Sequence, residues 1–326
     1  MTTKTPTRRD FNTALALLLG SATGSSFAQA ATLKVVVGLP PGGSGDLIAR
    51  VIAEEFTKAT GQSAVVENRP GAGTNIASDF VSRAAPDGNT ILVSGNTGHG
   101  INPWLYKKLN WDPIKDFTPI TKVSTMPMVI AVTPGRQIRS LNELITKVKS
   151  EPGKWSFASP GIGTPQHLAG VQLARTMGMD LEHIPFQGGA PALAGVLSGE
   201  VPVLIGSSPV VLPQVRAGKL VPLSLISRSP SKLIPGVPGM AAAGIQDIDL
   251  DGYWGIWGPG NMRPEVTRRL FDVITKILLM PHVAERFARD AMLVEVSNSP
   301  EEFNAFYRKD LAMWGPVVKA SGAVNN

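Results

Sequence analysis

Two glycine-rich turns hold the residue types best suited to chemistry. Leu39-Pro40-Pro41-Gly42-Gly43-Ser44-Gly45-Asp46 and Ser159-Pro160-Gly161-Ile162-Gly163-Thr164 each follow a short apolar run and precede apolar residues at helical spacing. A helix start leaves its first amides unpaired and concentrates the positive end of the dipole, so each turn is a ready anion site. Glycine lets a ligand oxygen approach the backbone closely. Ser44, Ser159 and Thr164 add hydroxyls that donate to an anion without charge cost, although Thr164 is equally placed to cap its helix. Asp46 stands where an N-cap belongs, so it is read either as that cap or as a ligand contact. His167, one turn into the second helix, faces the crevice or packs against its own lobe. His99, in Asn96-Thr97-Gly98-His99-Gly100, follows a strand end, as Thr97 does, and Ser207 closes another.

Other chemistries fit the sequence less well. The first turn places Ile48 where the dinucleotide fingerprint wants glycine or alanine, and no Gly-Lys-Ser/Thr exists for a phosphate loop. With no cysteine there is no thiol nucleophile or thiolate metal ligand, and the four histidines lack metal-ligand spacing. Ser207-Ser208 sits in no Gly-x-Ser-x-Gly elbow. No metal and no cofactor are therefore expected.

The elements that must hold these turns alternate between strand and helix. Leu33 to Gly38, Ala64 to Glu67 and Thr90 to Ser94 read as strands of a first series. Met128 to Val132, Ser156 to Ala158 and Val201 to Ile205 belong to a second, with a capping box at Ser140-x-x-Glu143. Such alternation predicts an α/β fold with a mostly parallel sheet covered on both faces. Trp254 and Trp257 are expected on one face of a late strand, as core groups. Two periodic helices close the chain, one with the stripe Val266, Leu270, Val273, Ile274 and Ile277, the other opened by Ser299-Pro300. About 300 residues exceed one core, so two lobes are predicted: 31–130 with 248–326, and 131–247.

Residues 1–30 fit a cleaved export signal. Arg8 and Arg9 precede the apolar run Ala14 to Leu19, and Ala28-Gln29-Ala30 offers a small-x-small cleavage site, giving a start at Ala31. Thr7-Arg8-Arg9-Asp10-Phe11 looks like a twin-arginine signal, but Asn12 and Thr13 depart from that pattern, leaving twin-arginine and general export both open. No cysteine is available for a lipid anchor, and a soluble monomer in the periplasm is expected. Removal of Lys4, Arg8, Arg9 and Asp10 lowers the net charge from +6 to about +4. That suits an anionic ligand and is too mild to argue for nucleic acid.

Several ordered strings then make a specific resemblance. Leu39 to Asp46, Glu67-Asn68-Arg69-Pro70-Gly71-Ala72-Gly73, Ala84-Ala85-Pro86-Asp87-Gly88, Ile101-Asn102-Pro103, and Pro185-Phe186-Gln187-Gly188-Gly189-Ala190-Pro191-Ala192 occur in order, with Arg216 to Leu220 and Ser299 to Phe303 beyond them. From about Leu33 to Gly322 the chain resembles the Bug family, the TctC-type receptors of tripartite tricarboxylate transporters. The resemblance implies a two-lobed type II periplasmic binding protein fold, a Venus flytrap with its ligand cleft between lobes. It also implies that the two glycine turns hold a ligand carboxylate through amides, hydroxyls and bridging waters, with Phe186, Gln187, Gly188 and the segment after Val201 lining the rest. The partners implied are a small carboxylate and a permease of large and small membrane subunits.

One departure bears on the ligand. Such receptors often read Val-Asp-Leu-x-x-Asp where this chain reads Val201-Pro202-Val203-Leu204-Ile205-Gly206. Without an acid at Gly206 to pair with an amine, an amine-free mono- or dicarboxylate, aliphatic or aromatic, is expected. A solute-binding protein without enzymatic activity is the principal reading. The alternatives are a periplasmic hydrolase or isomerase acting on a carboxylate and a ligand-sensing protein of a signalling system.

Overall fold

The computed structural model describes residues 31–323, and the export signal expected over 1–30 lies outside them. The described residues form two sheets. The first comprises β1 (Leu33–Val37), β2 (Ala64–Asn68), β3 (Thr90–Gly95), β4 (Phe117–Met126), β10 (Gly252–Pro259) and β11 (Leu293–Val294), in the order β11-β4-β10-β3-β1-β2. The second comprises β5 (Met128–Val132), β6 (Ser156–Ser159), β7 (Glu182–Pro185), β8 (Val203–Ser207) and β9 (Val221–Leu225), in the order β7-β6-β8-β5-β9. This is the two-lobed α/β architecture that the alternation of strands and helices predicts.

Neither sheet is mostly parallel. β1 runs parallel to β2 and β3, and β6 parallel to β7 and β8. β10 is antiparallel to β3 and β4, and β5 is antiparallel to β8 and β9. The physical reason lies in the connectivity: a chain that leaves one sheet and enters the other arrives from the opposite end. Crossover helices feed only the strands wound within a lobe. The outward crossing falls at Pro127, between β4 and β5, so Met128 to Ile130 bond into the second sheet although the sequence reading assigned them to the first lobe. The crossings lie side by side, with Met126 opposite Gly252.

Local chemistry sets the helices. In Ser44–Thr60 the buried positions Ile48, Val51, Ile52 and Phe56 recur at helical spacing, and the helix ends at Gly61 in the left-handed conformation. Ser140, Thr164 and Ser299 each accept the amide three residues on, as capping residues do. The third strand of the second series begins at Val203, two residues later than the apolar run suggests, because Val201 is drawn into the helix-side core with Val196 and Leu204.

Helix Pro300–Ser321 serves both lobes. Phe303, Tyr307 and Leu311 pack with Trp257 and Val36 on the first sheet, whereas Trp314, Val317 and Val318 join Ile130, Phe157 and Ile205 of the second. Trp254 and Trp257 fall on opposite faces, contrary to the expectation from sequence. Residues three positions apart in a strand of period two fall on opposite faces: Trp257 is fully buried beside Phe303, and Trp254 packs on the other core.

Candidate functional site

A cavity of about 150 Å³ lies where the carboxyl ends of the two sheets meet. The first lobe contributes Gly38 and Leu39 after β1, Ser94 to Gly98 at the end of β3, and Gly252 to Trp254 in β10. From the second come Ser207 at the end of β8 and Pro165 and Gln166 at a helix start, while the crossing strands add Met126 and Met128. Carboxyl ends of strands and helix starts converge in this way on ligand crevices of open α/β sheets. Among the described residues, no Asp, Glu, Lys or Arg belongs to the lining. Its polar atoms are hydroxyls, amides and backbone, set against Leu39, Val93, the two methionines and the Trp254 indole.

The sequence-predicted residues divide into groups. Leu39, Thr97 and Ser207 line the cavity. Gly42, Gly43, Ser44 and Asp46 border a separate outer depression, shared with Arg50 and with Pro209 and Asp290. Gly45 backs the cavity wall, since a Cβ there would fall 2.8 Å from Cη2 of Trp254. Pro40 is exposed and outside both linings.

Asp46 is not the N-cap. Gly43 takes that position, and Asp46 stands three residues into the helix, reaching back over the turn. Its Oδ2 accepts from the Gly42 amide at 3.0 Å and from Arg50 Nε at 2.8 Å, and its Oδ1 accepts from Asn68 Nδ2 at 2.9 Å. The Arg50 hydrogen bond outweighs burial and, with those from Gly42 and Asn68, holds this carboxyl down to about 2. An acid so committed braces the turn.

The second turn is braced by two histidines. The Ser159 hydroxyl lies 2.6 Å from His183 Nε2 and accepts the Gly161 amide at 3.2 Å. Thr164 accepts the His167 amide and donates to the Gly161 carbonyl at 2.7 Å, so it caps its helix. Gly161 and Gly163 take φ of 143° and 78°, backbone that favours glycine. A Cβ on Gly163 would also lie 2.5 Å from Leu105 Cδ2. His167 is buried and accepts the Gly163 amide through Nδ1 at 3.1 Å. Burial lowers the pKa of both histidines, that of His183 to about 4, with His167 contributing to the latter.

Phe186, Gln187 and Gly188 stand behind this turn and outside the cavity lining. The Phe186 ring sits over Gly195, Gln187 is exposed, and the Gly188 amide donates to the Pro160 carbonyl. His99 also lies outside the lining. It is fully buried, stacked between Trp257 at 4.4 Å and Trp111 at 5.5 Å, with Nδ1 on Ser94 Oγ, and burial lowers its pKa to about 3.

The lining residues that sequence reasoning missed include Thr74, Trp254, Met126, Met128 and Gln166. The tryptophan stands in an identifiable strand, where alternation from Trp257 turns it to the opposite face, beside Gly95 of β3. The methionines flank a crossover that only the sheet pairing reveals.

The family described as tripartite tricarboxylate transporter family receptor, TctC, matches residues 48–323. Protein BugT of Bordetella pertussis is 30% identical over 292 residues, covering 89% of each chain. Among solved structures, the periplasmic binding protein BugD is 30% identical with a TM-score of 0.74, covering 90% of this chain and 99% of its own. MatC from Rhodopseudomonas palustris with bound malate is 28% identical with a TM-score of 0.74, covering 88% of this chain and 98% of its own. The chain, matched over most of its length in sequence and in fold, belongs to the TctC family of tripartite tricarboxylate transporter receptors.

Proposed function

We propose that this receptor captures a small amine-free carboxylate in the periplasm and delivers it to a permease of large and small membrane subunits. The observation that carries the reading is the cavity between the sheets, walled from both lobes and, among the described residues, lined by no charged side chain. An amino acid would leave its ammonium without a carboxylate partner there, a costly burial. A carboxylate has the start of helix Pro165–Met177, where the Gln166 amide and the helix dipole favour an anion and Gln166 lines the wall. Leu39, Thr97 and Ser207 complete its surroundings, and bridging waters extend the reach of both glycine turns.

Malate bound to MatC supports the ligand class, since that relative shares the fold over nearly the whole chain. The receptor family supports transport over catalysis. Charge-assisted hydrogen bonds of roughly 1.5–3 kcal/mol each would, after ordering costs, give the ~8 kcal/mol of micromolar binding from four or five contacts. Because the contacts come from two lobes joined by crossing strands, binding favours the closed arrangement.

Calorimetric titration with benzoate, malate, adipate and aspartate tests the reading, with the recovered ligand examined by NMR. One of the first three acids should bind and return unchanged. Preference for aspartate would sink the amine-free assignment, and a chemically altered ligand would sink the receptor reading.

A further inference from the structure

Thr74 precedes helix Asn75–Ser82 at the N-cap position, yet it does not behave as a capping threonine. Such a residue takes extended backbone and accepts an amide two or three residues on. Thr74 has φ 83° and ψ −5°, left-handed backbone that a β-branched side chain rarely adopts, and it makes no capping bond. Its Oγ1 is buried and has no hydrogen-bond partner among the described residues.

The surroundings hold this strained residue against the cavity. Thr74 belongs to the lining, as do Gly38 and Gly98 beside it. A Cβ on Gly38 would fall 2.5 Å from Thr74 Cβ, and one on Gly98 would fall 2.6 Å from Thr74 Oγ1. Two strand exits thus leave a notch that this side chain fills. The neighbouring Ser94 hydroxyl is engaged with His99 Nδ1 at 3.1 Å. A strained, unsatisfied hydroxyl in a cavity wall persists only where the surroundings over-determine it, and such sites cluster where ligands bind.

From this arrangement we infer that Thr74 is a specificity-determining ligand contact, its hydroxyl donating to a carboxylate oxygen of the captured acid. The inference rests on the receptor reading above and adds to it a residue outside both glycine turns. It also gives a reason for the strain: an unstrained glycine would fit the backbone but leave the ligand oxygen without its donor.

The test uses the acid that the unsubstituted protein binds most tightly among benzoate, malate and adipate, titrated into three variants. Thr74→Val keeps the shape and removes the hydroxyl, and should weaken binding roughly tenfold or more. Thr74→Ser should stay within about threefold of the parent, since it keeps the donor. Thr74→Gly should lose affinity as the valine variant does, while its thermal midpoint stays at or above that of the parent, because glycine takes this backbone freely. Parent-like affinity in Thr74→Val would overturn the assignment and leave the receptor reading standing. A clear fall in the Thr74→Gly midpoint would make the residue structural and overturn it too. If the parent binds none of the three acids, the receptor reading falls and takes this inference with it.

Discussion

The amide of Gly163 donates to Nδ1 of His167 at 3.1 Å, which fixes the imidazole as a neutral acceptor beneath the second glycine turn. The ring of His183 lies 4.0 Å away, centroid to centroid, and its Nε2 meets the Ser159 hydroxyl. Two neutral histidines therefore hold the turn from one side, and Thr164 holds it from the other. In His167→Ala the Gly163 amide loses its acceptor within a buried site. Destabilisation of about 1–3 kcal/mol is expected in urea unfolding, with weaker carboxylate binding in titration. Unchanged stability would show that the turn needs no such brace.

Acid should loosen the same assembly. His167, His183 and His99 have folded pKa values below the ordinary 6.5, those of His183 and His99 at about 4 and about 3, all mainly through burial. Below pH 6.5 the unfolded chain takes up protons that the folded chain refuses, so stability is lost as pH falls from 6.5 towards those values. His183→Asn removes one such group and should show a smaller drop in thermal midpoint between pH 7 and pH 5. An identical drop would rule out His183 as a contributor.

Asp310 works in the opposite sense. Its carboxylate sits midway along the helix that serves both lobes, accepting from Tyr253 Oη at 3.1 Å and from Trp314 Nε1 at 3.0 Å. Burial pushes its pKa up to about 7 despite those bonds. Between the unfolded value of 3.8 and about 7 the folded state keeps a proton that the unfolded state has lost, so this group's contribution to stability declines as pH rises through that window. In Asp310→Asn an amide accepts from Trp314 and donates to Tyr253. The variant should gain on the order of 1–3 kcal/mol over the parent at pH 8 and show no gain at pH 4. Equal gains at both values would point to packing instead of ionisation.

Gly45 and Trp254 make the cavity wall sensitive to a single methyl. A Cβ on Gly45 would lie 2.8 Å from Cη2 and 2.9 Å from Cζ3 of the indole, with Val37 Cγ1 at 3.3 Å behind it. Gly45→Ala should displace the indole, costing roughly 1–3 kcal/mol of stability through overpacking. Ligand affinity should fall with it. Indole emission reads the displacement directly, and an unchanged spectrum with unchanged affinity would contradict the arrangement.

Much of this molecule is written in local sequence. Val35 to Val37 beside an amphipathic helix, the caps at Ser140, Thr164 and Ser299, and glycine turns between strand and helix are set by residues a few positions apart. They establish an α/β chain in two series, and the ordered strings from Leu39 to Phe303 carry the family resemblance. The cavity wall was decided elsewhere. Met126 and Met128 reach it because antiparallel strands cross between the sheets, and Trp254 because β10 pairs with β3 and sets it opposite Gly95. His99 and Phe186, by contrast, turn towards their own cores. Pairing between strands far apart in sequence fixes the facings of Met126, Met128 and Trp254, and no local spacing encodes such a pairing. Only the folded chain could set Thr74 between Gly38 and Gly98, since that contact joins three separate strand exits.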